Sequence, residues 1–145
     1  MRRMIGVGVV LLLLALLIPA SAEAQSRGSR EPKFQLGLSY PNPFNPETKI
    51  PFTLLPELFE QGRPVVVSMR IRNILGQLVA IPAALDHPDG NGVKVDNLVY
   101  TTAGPKEAYW DGYDRFGRKV ASAMYLLELV VNGERAPPQK LMVAN

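Results

Sequence analysis

Short apolar runs separated by proline, glycine, asparagine and aspartate constrain the fold of this chain more than any other feature. Beyond residue 33, no long stretch repeats its apolar residues with the 3.6-residue period of an amphipathic helix. The clearest run, residues 65–74, alternates Val67, Met69 and Ile71 with Ser68, Arg70 and Arg72. The pattern predicts an all-β domain, a β-sandwich of about seven to eight short antiparallel strands.

Eight segments are predicted to form these strands: 35–40, 48–55, 65–74, 78–82, 93–102, 107–110, 120–131 and 139–143. Pro51 has no N–H to donate to a sheet, so the second strand is predicted to lie at an edge. Residues 57–63 are predicted to form a loop or a single helical turn. Asn132-Gly133 is the strongest signal for a two-residue hairpin turn.

The first 24 residues have the three parts of a secretory signal peptide. Arg2 and Arg3 form a basic start, residues 5–18 are almost entirely apolar, and small residues follow Pro19. Cleavage after Ala22 or after Ala24 satisfies the A-x-A rule, and we favour Ala24. The alternative is an uncleaved membrane anchor, although the apolar run is shorter than the ~20 residues that span a bilayer comfortably.

The expected organisation is a signal peptide at 1–24, a flexible polar leader at 25–34 and the β-sandwich at 35–145. The mature protein is expected to be exported to the periplasm, the cell surface or the medium. It would contact the membrane only if the N-terminal segment stays uncleaved. The chain has no cysteine, so an exported domain of this kind would depend on its apolar core without disulfides.

Charge gives no indication of a nucleic-acid partner. The net charge is +3 for the whole chain and falls to +2 once Arg2, Arg3 and Glu23 are removed with the signal. Lysine and arginine are scattered along the sequence instead of forming a basic cluster that would track phosphates. We therefore expect another protein, and not a nucleic acid, as the partner.

The residues required for catalysis or metal binding are not found in a recognisable pattern. A nucleophilic triad would need His87, which is the single histidine, and no Gly-x-Ser-x-Gly turn is present. His87 precedes Pro88 in a turn-rich segment and is predicted to be a solvent-exposed loop residue. Asp86, Asp89, Asn91 and Asp96 carry oxygen ligands for Ca²⁺, but their spacing differs from that of an EF-hand loop. They are read as turn formers, so no enzyme activity, cofactor or metal site is expected.

Four sequence blocks, in this order, resemble one known family. The first contains Pro41, Asn42, Pro43, Phe44, Asn45 and Pro46, and the second contains Leu75, Gly76 and Gln77. The third contains Trp110, Asp111, Gly112, Gly117 and Tyr125, and the fourth is the final segment from Gln139 to Val143. Together they are similar to the type A C-terminal sorting domain of the type IX (Por) secretion system and to the immunoglobulin-like domain of the flagellar hook-capping protein.

The three prolines at 41–46 exclude helix and central strand, so this segment is predicted to be a rigid, extended corner that inserts Phe44 into the core. The resemblance implies an immunoglobulin-like sandwich, with Trp110 packed between the sheets. It also implies sorting or surface attachment, with the last strand read by the export machinery. One departure is that the segment at 82–102 is longer than is usual between the second block and the third. Its turn-rich part is either an insertion that contacts nothing or a loop that binds a partner.

Three functions are weighed on this basis. The first is an exported, non-catalytic module for protein–protein interaction, or an accessory subunit at the cell envelope. The second is the type IX sorting function, and the third is a membrane-anchored accessory subunit. The candidate partner contacts lie in the turn-rich segment and on the final strand, which is predicted to be an exposed edge. They are Asp86, His87, Asp89, Asn91, Lys140 and Met142.

Overall fold

The computed structural model of the protein describes residues 30–145. The predicted signal peptide and residues 25–29 of the predicted leader lie outside the described residues. Ten strands are present in the described part: β1 (Phe34–Leu36), β2 (Thr48–Leu54), β3 (Val65–Arg72), β4 (Leu78–Ala80), β5 (Ala83–Leu85), β6 (Leu98–Tyr100), β7 (Gly104–Trp110), β8 (Met124–Val131), β9 (Glu134–Arg135) and β10 (Gln139–Met142). A short 3-10 helix, Pro56–Leu58, follows β2 where a single helical turn was predicted.

The strands form two antiparallel sheets, which confirms the predicted all-β sandwich. One sheet has the strand order β1-β2-β7-β5, and the other has the order β10-β8-β3-β4. In the second sheet β6 also pairs with β3, and β9 also pairs with β8. The predicted hairpin turn joins β8 to β9, where Asn132 and Gly133 have φ of 49° and 82°. These left-handed conformations are the ones that a two-residue turn of this type requires.

The core contains the alternate residues of the long strands, as the apolar pattern predicts. Because successive strand residues point to opposite faces, every second side chain is directed to the same side of its sheet. The following are at most 1% exposed: Ile50, Phe52, Leu54, Val67, Met69, Ile71, Leu127 and Leu129. On the opposite face of β3, Arg72 pairs with Glu128 at 3.0 Å and Arg70 pairs with Asp96 at 3.3 Å.

The edge position predicted for the strand with Pro51 is wrong. This strand, β2, lies between β1 and β7, in register with both. Gly37 N–H donates to the Pro51 carbonyl at 2.8 Å, but Pro51 has no N–H to return to Gly37. The Gln139 side chain supplies the missing donor, with Nε2 at 2.7 Å from the Gly37 carbonyl oxygen. A tertiary contact thus makes an interior proline acceptable.

The segment at 82–102 also differs from the prediction. Its first residues form β5, which pairs with β7 at the edge of the other sheet. The chain therefore crosses between the sheets after β4, and three residues of the apparent extension form a strand. The strand predicted at 93–102 is limited to β6, although Val95 is buried. At the N-terminus, Phe34 belongs to β1 and is buried, so the folded domain begins before residue 35.

Candidate functional site

The proline-rich segment at 41–46 holds the two sheets together at one side of the sandwich. Phe44 is 1% exposed, and its ring lies 5.2 Å from that of Trp110 in an edge-to-face arrangement. The Trp110 ring in turn lies 5.6 Å from the Tyr125 ring. The indole Nε1–H donates to the Tyr113 carbonyl at 2.9 Å, which satisfies its polar atom within the core. The sequence blocks around Phe44, Trp110 and Tyr125 therefore meet in an aromatic cluster.

Gly112 brings the loop after β7 against the same proline-rich segment. Its φ is +77°, and a Cβ at this position would lie 2.5 Å from the Pro46 carbonyl oxygen. Glycine is therefore required here both for backbone conformation and for space. The neighbouring Asp111 accepts a hydrogen bond from Tyr113 N–H at 3.0 Å, so its carboxylate shapes the turn.

The final strand β10 is at the end of its sheet, but its outer edge is covered. Asn42 uses its side chain as a second strand would: Nδ2 donates to the Lys140 carbonyl at 3.0 Å, and Oδ1 accepts from Met142 N–H at 2.9 Å. Phe44 N–H then donates to the Met142 carbonyl at 2.9 Å. The prediction of an exposed edge at Lys140 and Met142 is therefore wrong for the backbone, because its hydrogen-bonding groups are engaged.

Replacing Asn42 by alanine should reopen this edge. We expect a loss of about 1 kcal/mol in the free energy of unfolding, because two partly solvated hydrogen bonds disappear. The unpaired Lys140 carbonyl and Met142 N–H would also favour edge-to-edge association. Urea unfolding and light scattering over a concentration series measure the two effects. Asn45→Ala is the matched control, since Asn45 is exposed and its side chain makes no hydrogen bond with the described residues. Equal behaviour of the two variants would contradict the role given to Asn42.

His87 is buried, so the prediction of an exposed loop histidine is wrong, and the side chain offers little surface for the predicted partner contact. Its side chain is 3% exposed, and its ring packs edge-to-face on Tyr100 with centroids 4.8 Å apart. Nε2 lies 2.8 Å from the Val99 carbonyl oxygen, and Nδ1 accepts from Asp89 N–H at 3.1 Å. These two contacts indicate that the ring proton is on Nε2, because the Val99 carbonyl oxygen can only accept a hydrogen bond and Nδ1 already accepts one from Asp89 N–H. His87 therefore anchors the turn after β5.

The other predicted contacts in that turn are exposed at the surface, but they serve the turn itself. Asn91 Oδ1 accepts from Asp86 N–H at 2.7 Å, and Asp86 has a φ of 52°. The Asp89 side chain is 70% exposed. No group of three or more acidic, histidine or cysteine side chains that would hold a metal ion occurs within residues 30–145. The hydrogen bond between Asp86 and Asn91 and the positive φ of Asp86 show that these two residues stabilise the turn.

Tyr100, which packs against His87, carries an unpaired hydroxyl. Its side chain is buried, and the hydroxyl oxygen has no hydrogen-bond partner among the described residues. Burial raises the pKa of Tyr100 to about 12. The phenol is therefore neutral at any physiological pH. Its environment is that of a core residue.

A further surface lies where two loops come together near Tyr125. The first is the turn between β3 and β4, at residues 73–77, and the second is the loop at 113–119. The second loop is tied to β4, which follows the first loop, by Arg115 N–H, which donates to the Val79 carbonyl at 2.8 Å. Between them lies a hollow of about 660 Å³, with Tyr125 and Val120 in its lining. We call this hollow and its two loops the loop cleft.

Large apolar side chains are exposed on both loops of the loop cleft. Ile74 and Leu75 are 71% and 77% exposed, and Phe116 in the second loop is 67% exposed. Exposed apolar residues that occur singly are ordinary, but a group of them bordered by polar residues is typical of a binding surface. Arg115, Arg118 and Lys119 supply the polar border.

Asp114 makes the second loop rigid. Its Oδ1 accepts from the N–H groups of Phe116 and Arg118, both at 2.9 Å, and Oδ2 pairs with Arg118 Nε at 3.1 Å. The backbone hydrogen bond from Arg118 is the largest of the contacts that hold the pKa of the Asp114 carboxyl below its usual range. The loop therefore presents Phe116 from a fixed backbone.

The sequence blocks therefore separate into two places in the structure. Phe44, Trp110 and Gly112 lie at the aromatic core, whereas Gln77 lines the hollow of the loop cleft and Leu75 and Gly117 lie in its two loops. The candidate contacts derived from sequence did not include Arg115, Phe116 or Lys119. The sequence signal that could have identified this surface is a phenylalanine flanked by two arginines within a predicted loop, at residues 115–118.

Among the described residues, no helix has the length and apolar character needed to cross a membrane.

Comparisons with known proteins bear on the fold. No protein-family model matches the chain, and no curated protein matches it in sequence. Among solved structures, dimeric latent PorU from Porphyromonas gingivalis matches 77% of this chain, with 21% identity and a TM-score of 0.54. The DNA glycosylase AlkC from Pseudomonas fluorescens, bound to DNA with an abasic site analogue, matches 78% with 15% identity and a TM-score of 0.46. The second match is too weak to support an argument.

The chain spans only a small part of these proteins, since the match covers 9% of PorU and 31% of AlkC. The likeness to PorU shows that this chain has the same kind of β-fold as a segment of that protein.

Proposed function

We propose that this chain is an exported, non-catalytic β-sandwich module that binds another envelope or secreted protein through the loop cleft. The observation that carries the proposal is the exposure of Phe116 at the hollow, and of Ile74 and Leu75 on the turn whose Asn73 and Gln77 line it. A rigid, partly apolar surface loses little conformational entropy when it binds. The buried His87 and the covered edge of β10 leave the loop cleft as the better supported surface.

Site-specific crosslinking in the native host tests this proposal. A photo-reactive benzoylphenylalanine at position 75 should give a discrete adduct with one envelope or secreted protein. The same residue at position 60, an exposed site remote from the cleft in sequence, is the control. Adding Phe116→Ala should remove the adduct at position 75 if both loops contact the partner. Equal adducts at the two positions, or no adduct at either, would contradict the proposal.

Sorting by the type IX (Por) secretion system is the second candidate. It is supported by the four sequence blocks and by the fold shared with a segment of PorU. Sorting should be transferable, so residues 31–145 fused behind an exported reporter should deliver that reporter to the surface of a host with this system. The Gly112→Ala fusion, which disturbs the fold, is expected to fail. Reporter retained in the periplasm by the unaltered fusion would rule out this candidate.

Export itself is tested by the intact mass of the protein from separated cell fractions. A mass that begins at Gln25, found in the periplasm or outside the cell, is expected. A full-length mass retained in membranes would instead support the membrane-anchored accessory subunit.

A further inference from the structure

Two guanidinium groups lie close to the Phe116 ring. The Arg115 guanidinium carbon is 4.8 Å from the centre of the Phe116 ring, and that of Arg118 is 5.2 Å away. Arginine stacks on aromatic faces by cation–π and dispersion interactions while its N–H donors stay available at the edge of the plane. The ring therefore orients two arginine side chains at the rim of the loop cleft before any partner binds.

The charge of the loop cleft is not balanced by the protein. Three cationic side chains and one carboxylate, Asp114, line the hollow in the described part of the chain. Asp114 is 17% exposed in its side chain and is already paired with Arg118. Arg115 and Lys119 have no carboxylate within 4.0 Å among residues 30–145. The surface therefore has two cations whose counter-charge must come from solvent or from a ligand.

The nearby Arg72 does not add to this excess, because Glu128 neutralises it. Its Nε lies 3.0 Å from Glu128 Oε2, and its Nη1 donates to the Gly76 carbonyl at 3.1 Å. Arg72 therefore holds the turn at 73–77 in place. Asn73 adds to this, since its Oδ1 accepts from the N–H groups of Leu75 and Gln77, each at 3.0 Å.

Cations and apolar side chains are combined within the same site. Ile74 and Leu75 project from one loop, and Phe116 projects from the other close to its arginines. A highly charged polysaccharide or nucleic acid would pair with the cations but would gain little from two exposed aliphatic side chains. An extended peptide that carries both acidic and apolar side chains complements both, since its carboxylates can pair with the cations while its apolar side chains are removed from water.

We infer that the loop cleft binds an extended, acidic protein segment, with carboxylates paired to Arg115 and Lys119 and an apolar side chain placed against Phe116 and Leu75. This inference rests on the proposed function and specifies the partner class for the same surface. The charged contacts set the rate and selectivity of the encounter, and the apolar contacts slow dissociation.

Fluorescence anisotropy with two labelled peptides tests the partner class on protein purified from the native host. One peptide alternates glutamate or aspartate with leucine or phenylalanine, and the second carries the corresponding amides. We expect the acidic peptide to bind at least about tenfold more tightly, and the difference to shrink at high salt as exposed charges are screened. The Arg115→Gln/Lys119→Gln variant should remove this preference.

The matched control is Arg63→Gln/Lys140→Gln, which removes the same charge from exposed positions outside the cleft. This control should retain the preference. Equal losses in the two double variants would show that only net charge matters and would overturn the inference. Binding of dextran sulfate in place of the peptide would overturn it in favour of an anionic polymer. If crosslinking at position 75 succeeds while the acidic peptide fails to bind, the partner class is wrong and the proposed function stands.

Discussion

The Gly112→Ala variant is expected to lose about 3 kcal/mol of unfolding free energy, because two independent penalties act at one position. The first is the positive φ of +77°, which costs an L-residue with a Cβ about 1 kcal/mol. The second is the approach of the new Cβ to 2.5 Å from the Pro46 carbonyl oxygen, which forces the proline-rich segment to move. Urea unfolding monitored by Trp110 fluorescence measures the loss.

Gly117→Ala separates the two penalties. Gly117 has the same φ of +77°, but a Cβ there meets no atom within 4 Å. This variant should therefore lose only about 1 kcal/mol, the cost of the backbone conformation. Similar losses for the two variants would show that the contact between the loop after β7 and the Pro46 carbonyl adds nothing to stability.

The Phe44→Ala variant is expected to be the most destabilised single substitution, with a loss of about 3–5 kcal/mol. Phe44 is the only aromatic residue of the proline-rich segment, and its ring fills the space beside Trp110. Removal leaves a cavity and detaches the segment whose backbone also pairs with β10. Loss of the contact should also alter the fluorescence of Trp110 in the native state.

Phe116→Ala provides the control for this substitution. The same side chain is removed, but Phe116 is 67% exposed and its loop is held by Asp114 and by Arg115 N–H. We expect a loss of no more than about 0.5 kcal/mol, as for most surface substitutions. If Phe44→Ala were no more harmful than Phe116→Ala, the proline-rich segment would not be a structural part of the core.

The aromatic core and the loop cleft are separate in this chain, and the two are tested by different readouts. Substitutions at Phe44 and Gly112 should change stability, and binding would be lost only as a consequence. Substitutions at Phe116, Arg115 and Lys119 should change binding while the unfolding midpoint stays near that of the unaltered protein. This separation allows the proposed function to be tested without ambiguity from unfolding.

The residue pattern alone was sufficient to predict those elements that depend only on residues close together in the sequence. The alternation at Val67, Met69 and Ile71 predicts a strand with one buried face, because the side-chain period of a strand is two residues. Asn132-Gly133 predicts its hairpin turn, since both residues tolerate a positive φ. The three prolines around Phe44 exclude a helix, and the aromatic residue among them was correctly predicted to insert into the core.

Only the tertiary structure decided the features that depend on distant partners. Pro51 lies inside a sheet because Gln139, 88 positions later in the chain, supplies the donor that proline lacks. His87 is buried because Tyr100 and the Val99 carbonyl are placed beside it by β6. The edge of β10 is covered because the Asn42 side chain lies along it. The loop cleft exists because the loop at 113–119 is held against β4 by the hydrogen bond from Arg115 N–H to the Val79 carbonyl. Local periodicity carries no information about such pairings, since they are set by how the two sheets pack.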